Sequence, residues 1–444
     1  MGHFLAPTRY FRVSCSALGA ATAAVLLASS GVLADEDPAD DIPDQGLDLT
    51  VAGTSFGGAD PLATSRTVQH WSDETANSAN GVTYRYNMVG ADPRTNGSAV
   101  IGVDIVPLDL TVDGHAFNGS QVAPAVLASP LFSTTTTAMT QTGPVTVPLN
   151  YGSTSFASNG MGGRGSGGQL SPGQTNLQLL DATMRAQFNK VGTTYHLILD
   201  PVVHDAVTID IPDGKGTTLT SPGGITFAIL DVNWFRTRIQ NQLGKLGYLD
   251  PSRLVLFVTY DVALNDGLTV TSLSSLALGA HGAGPATGNG NGNVRGNGKQ
   301  PVQTFAWGSW LTTGFFSRTR MWAMQDIHAL SHEIVEWADN PFGTNTVQDW
   351  FVARASQYGC SDELETGDPV VGLGFTIGYH RFDDNRFSEH TWHPSDEALL
   401  PWFMRSAPET QGGRFTFMGS LNRVMSSTTP SVYVFQQPAT GCPA

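Results

Sequence analysis

The residues with the clearest chemistry are His332, Glu333 and Glu336, which stand in the order H-E-x-x-E within the stretch HALSHEIVEWADNP from His328 to Pro341. Residues four apart in a helix lie one above the other, so His332 and Glu336 would present an imidazole and a carboxylate to one point. That pair can grip a metal ion, and Glu333 beside it could take a proton from a bound water. The order differs from the zincin H-E-x-x-H only in its second ligand. Imidazole and carboxylate both suit zinc, while the added negative ligand lowers Lewis acidity and leaves calcium, or no ion, as alternatives. A solvated face of an amphipathic helix would show the same charged residues. His328, one turn before His332, adds a further nitrogen on that face.

The helix that must carry them is written in the apolar spacing. Met324, Ile327, Leu330, Ile334 and Ala338 recur every three or four residues and form a stripe opposite His332 and Glu336. A strand, TFAWGSW from Thr304 to Trp310, is predicted to lead into it. Earlier strands are predicted at Gly81 to Tyr86, Ala99 to Leu110, Thr193 to Leu199, Ala206 to Ile211 and Arg253 to Tyr260, from alternation and β-branched content. Helical spacing marks Leu179 to Asn189 and Asn233 to Leu246, and strands close the chain at Arg414 to Met418 and Ser431 to Phe435. Strands and helices mix without strict alternation, which predicts an α+β fold. Gly152 to Gly173 and Gly282 to Gly298 are Gly-rich and read as loops, the second lacking the Lys-Ser/Thr ending of a phosphate loop.

The layout of the first 34 residues is that of a secretory signal peptide: Arg9 and Arg12, an apolar run from Ala17 to Leu33, and cleavage after Ala34. The acidic, Pro-broken residues 35–50 read as a disordered lead-in, followed by a β-rich region, 51–224, and an α+β domain, 225–444. Two of the 23 basic residues fall in the signal, leaving 21 against 38 acidic, a net charge of −17. That balance opposes nucleic acid and anionic membrane surfaces as partners and suits a protein secreted to the periplasm or outside the cell. Cys360 and Cys442 remain as an even pair in an oxidising compartment; a disulfide is the economical reading, two buried free thiols the alternative.

Five of the 11 histidines lie between His328 and His393, among them His380 and His390. Seven tryptophans from Trp307 to Trp402 share that half, as core or as the wall of a cleft. Gly163 to Gly168 offers no nucleophile elbow for a serine hydrolase.

The motif SHEIVEWADNPF, with LFVTYDV at Leu256 to Val262 before it, resembles secreted bacterial proteins bearing H-E-x-x-E followed by D/N-P. More distantly it is similar to the plant phosphate-induced, EXORDIUM-like proteins. Their motif order appears here as His332-Glu333-x-x-Glu336, Asn340-Pro341, Glu365-Thr366-Gly367-Asp368 and Cys442, although Cys360 precedes Glu365 instead of following Asp368. The resemblance covers residues 225–405. It implies a zincin-like metallopeptidase fold, with His332, Glu336 and Glu365 as metal ligands and Glu333 as general base. Asp339 and Asp368 would orient the imidazole or cap the helix end, and His380, His390 and His393 compete with Glu365 for the third place.

The expectation is therefore a secreted zinc-dependent hydrolase acting on a peptide or protein. The alternative is a non-catalytic module of cell wall or extracellular matrix that keeps the fold.

Overall fold

The computed structural model describes residues 67–140, 143–151, 155–157, 174–270, 276–285, 301–316, 324–351, 360–378, 391–407, 409–410 and 413–418. The fold is mixed α+β and strand-rich. Its centre is a seven-stranded sheet: β1 (Ser98–Val112), β2 (His115–Asn118), β3 (His196–Val203), β4 (Val207–Asp210), β5 (Leu254–Tyr260), β6 (Gly279–Pro285) and β7 (Val302–Trp310). β3, β1, β5 and β7 run parallel, and β6 closes the far edge antiparallel to β7. Strands from before and after residue 225 thus share one sheet.

Four helices cover it: α1 (Gly119–Ala128), α2 (Leu179–Gln187), α3 (Val232–Lys245) and α4 (His328–Asp339). Side chains alternate across a strand, and here both faces are dry. Val103 and Ile105 of β1, Leu254, Leu256 and Val258 of β5, and Ala306 of β7 pack with α1, α2 and α4. Val106 and Leu108, Val255 and Phe257, and Phe305 and Trp307 pack on the other face with Phe235, Ile239 and Leu243 of α3. Burial on both faces is why β5 reads as a continuous apolar run, LVLFVTY, rather than an alternating one.

Several expectations are corrected. Gly282 to Pro285 are not loop: they continue β6, because pairing with β7 overrides the low strand propensity of Gly and Ala. Arg414 to Met418 form a single bridge, Ala398 with Thr416, instead of a strand. The helix α4 has no solvated face, since all twelve of its residues are buried. Within the loop expected at Gly152 to Gly173, Ser155–Ala157 form a strand antiparallel to Gly374–Thr376. The signal and lead-in, residues 152–154, 158–173 and 286–298 of the two Gly-rich stretches, the strand expected at 431–435 and Cys442 lie outside the described residues. Among the described residues no helix is long and apolar enough to cross a membrane.

Asp261, between β5 and the short strand Val262–Asn265, ties this frame to the approach to α4. Its backbone N–H donates to Trp310 O, and its carboxylate accepts from Thr312 N at 2.7 Å and Thr312 Oγ1 at 2.6 Å. Burial outweighs those donors and pushes the carboxyl from 3.8 up to about 6. The folded state therefore binds this proton more tightly than the unfolded chain. Its stabilisation is complete below about pH 4 and is lost as pH rises through about 6, a change on the order of 3 kcal/mol. Asp261→Asn keeps an acceptor and tolerates the left-handed φ of 51°. Wild type should lose that amount relative to Asp261→Asn between pH 4 and pH 7 in urea unfolding; a constant difference at both values would contradict the assignment.

Candidate metal centre

The centre begins with how closely α4 approaches the sheet. Gly279 of β6 and Gly308 of β7 are register partners directly under the helix. A Cβ on Gly308 would strike Leu330, and one on Gly279 would strike the Glu333 side chain. Two glycines side by side let the helix settle until its polar side chains reach β6. His281 is the residue they reach. It pairs with Ala306, whose side chain is on the α4 face, so the imidazole is directed at the helix.

The short 3₁₀ turn Asp368–Val370 and the segment before it approach the same point. Gly367 N donates to Glu336 Oε1 at 2.9 Å and Asp368 N at 3.3 Å, which fixes one carboxylate oxygen and turns Oε2 inward. Gly367 lies flat against the His332 ring, where a Cβ would collide with Nδ1. Glu365 is steered by Asn340 at the end of α4, whose Nδ2 donates to Glu365 Oε1 at 3.0 Å, while Asn340 Oδ1 accepts from Thr344 N and Asn345 N.

Two sets of three result, each with its ligand atoms within 4.8 Å of one another: His332, Glu336 and Asp368, and His281, Glu336 and Glu365. His332 Nε2 is 3.3 Å from Glu336 Oε2 and 3.3 Å from Asp368 Oδ1, and His281 Nε2 is 3.6 Å from Glu365 Oε2. Charge-assisted hydrogen bonds are shorter, about 2.7–2.9 Å. Tetrahedral ligands at about 2.0–2.1 Å from a zinc ion stand roughly 3.3–3.4 Å apart, so these spacings fit donors that share an ion. The donor types, imidazole nitrogen and carboxylate oxygen, fit zinc as well.

Electrostatics agree with groups held in a dry pocket. Burial lowers His281 to about 4, so the free imidazole is neutral and can ligate. Although burial opposes it, His332, His281 and the Gly367 amide hold Glu336 below the usual carboxylate range. Glu333 stands beside the ligands, its Oε2 3.3 Å from His281 Nδ1, but belongs to neither set.

The expected residues fall into place unevenly. His332, Glu333 and Glu336 sit together as the spacing implies. Glu365 reaches the centre, but in the set with His281, whereas Asp368, expected to orient the imidazole, stands among the ligand atoms facing His332 Nε2. Asp339 is two turns beyond His332, too far to touch it; it accepts from Gln187 Nε2 of α2 at 2.8 Å, and burial pushes it up to about 7. His393 is taken by Asp326, Nδ1 to Oδ2 at 2.6 Å, and His380 and His390 lie outside the described residues. His328 is buried in neither set, and burial lowers it to about 3. Among the tryptophans, Trp307, Trp337, Trp350 and Trp402 are core.

Two residues were not signalled by pattern. His281 hides in GAHGAG, immediately before the Gly-rich stretch expected to be loop, and no periodicity or spacing in the sequence marked it. Glu397 is fully buried beside His332 and Glu336, with neither carboxylate oxygen hydrogen-bonded among the described residues, and burial raises it well above the usual range. No family model, curated protein or solved structure matches the chain.

Gly367→Ala should push the His332 ring aside and weaken zinc binding about 10- to 100-fold, the range seen when the support of a ligand is lost. Competition with a chromogenic chelator measures this, and unchanged affinity would show that the close contact does not position the ring.

Proposed function

We propose that this chain is an exported, zinc-dependent hydrolase of zincin-like architecture acting on peptide bonds. The observation that carries the reading is the carboxylate beside the set: His332, Glu336 and Asp368 supply a three-donor set, and Glu333 lies against it, paired with His281 at 3.3 Å. A metal ion alone could be structural. A ligand set with an adjacent carboxylate that is not itself a ligand is the equipment of hydrolysis.

His332, Glu336 and Asp368 would hold the ion, and His281 and Glu365 form the neighbouring set that shares Glu336. Zinc bound there would supply Lewis acidity and a water that ionises near neutral pH. Glu333 is the proton carrier: its carboxylate accepts a proton from the nucleophile and returns it to the departing amine. Gly279 keeps the Glu333 side chain pressed over β6, so that carboxylate has little freedom to swing away. The export reading rests on the signal layout of residues 1–34 and the acidic net charge, and the zincin-like assignment on the motif order.

One observation favours the second reading, a secreted non-catalytic module with a structural ion. His332 and Glu333 are 0% exposed and Glu336 1%, and Glu365 and Asp368 are scarcely more open at 6% and 5%. A substrate needs a way in, whereas a structural ion is best sealed.

Catalysis and structure separate cleanly in variants. His332→Ala should lose bound zinc, and Glu333→Gln should retain it while turnover of a broad peptide mixture falls at least about 100-fold, the scale of a lost general base. Full turnover by Glu333→Gln would refute the mechanism. Equal inertness of wild type and Glu333→Gln, both with zinc bound, would transfer the assignment to the structural module.

A further inference from the structure

We propose that the centre holds two divalent ions bridged by Glu336, one with His332 and Asp368 and the other with His281 and Glu365. The inference rests on the metal-centre reading above and adds the number of ions and their separate ligands.

Three features carry it. The two sets share Glu336 alone, and among the described residues no set gathered within 4.8 Å contains both histidines. Two ligands of one zinc ion, at about 2.0–2.1 Å each, are at most roughly 4.2 Å apart, so one ion does not serve both rings as they stand. Next, Glu336 is prepared to bridge. Its Oε1 is occupied by the amides of Gly367 and Asp368, and its Oε2 points between the rings, 3.3 Å from His332 Nε2 and 3.7 Å from His281 Nδ1.

The third feature is His281 itself. It is 1% exposed, yet its Nε2 makes no hydrogen bond among the described residues and faces Glu365 Oε2 at 3.6 Å. Its Nδ1 lies 3.3 Å from Glu333 Oε2. A ring held by a carboxylate on one nitrogen, with the other directed at a second carboxylate, is the arrangement of a supported metal ligand. When ionised, Glu333, Glu336, Glu365 and Asp368 would supply the four negative charges that two divalent ions balance. Paired ions about 3.5–4 Å apart are a recurrent hydrolytic arrangement, in which each clamps one of the oxygens between which a bond is exchanged.

The test counts metal in the full mature chain. Apo protein is reconstituted with Mn(II), dialysed, measured by elemental analysis and examined by electron paramagnetic resonance. Wild type should hold two ions per chain and show an exchange-coupled spectrum; His281→Gln should hold one, with an uncoupled six-line signal. Glu365→Gln, altered at the most exposed ligand, gives the same one-ion result if His281→Gln fails to fold by circular dichroism. Two ions retained in both variants, or one ion in wild type that survives in His281→Gln, would overturn the bridged pair and leave the single-ion hydrolase standing. No ion in wild type would overturn both.

Discussion

A helix that carries two histidines, two glutamates and an aspartate is buried along its entire length. Water cannot solvate those groups, and an unpaired charge inside a protein costs several kcal/mol. The acidic groups are therefore met by partners brought from elsewhere in the chain, while both ring nitrogens of His328 make no hydrogen bond among the described residues. Gln187 of α2 meets Asp339, Gly367 and Asp368 meet Glu336, and His281 on the edge strand meets Glu333. Most of the architecture around α4 can be understood as the means of delivering those partners.

The sheet does this by its own geometry. A parallel set covered on both faces gives a rigid floor, and the antiparallel edge strand β6 brings a residue back beneath the helix that follows β7. The Gly279–Gly308 pair removes the side chains that would hold α4 away. Without that close approach the His281 ring would not reach Glu333 and Glu336. Asn340, at the end of α4, then holds Glu365 by a hydrogen bond, and the segment through Asp368 arrives at the same point.

This construction makes a centre that is tight and inaccessible at once. Tightness would suit a set of metal ligands that must not rearrange, since outer contacts such as Gly367 on His332 limit ring motion. The same closure bears on which reading of the function holds, because catalysis needs exchange with substrate and a structural ion does not. Glu397 is buried beside His332 and Glu336, and burial raises its carboxyl well above the usual carboxylate range.

By itself the sequence determined the local elements and the core of the site. The 3.6-residue apolar period located α4, the apolar and β-branched runs located β1, β5 and β7, and the i, i+4 spacing brought His332 to Glu336, because these depend on contacts between near neighbours. The tertiary structure decided everything requiring distant segments to meet. His281 could not be recognised in GAHGAG, since glycine and alanine specify a strand only when a neighbour such as β7 pairs with them. Whether Asp368 or Glu365 faces His332 depended on the turn at Gly367, and whether the polar face of α4 met water depended on what folded over it. Periodicity records which side of a helix is polar; only the packed chain decides whether solvent or other ligands occupy that side.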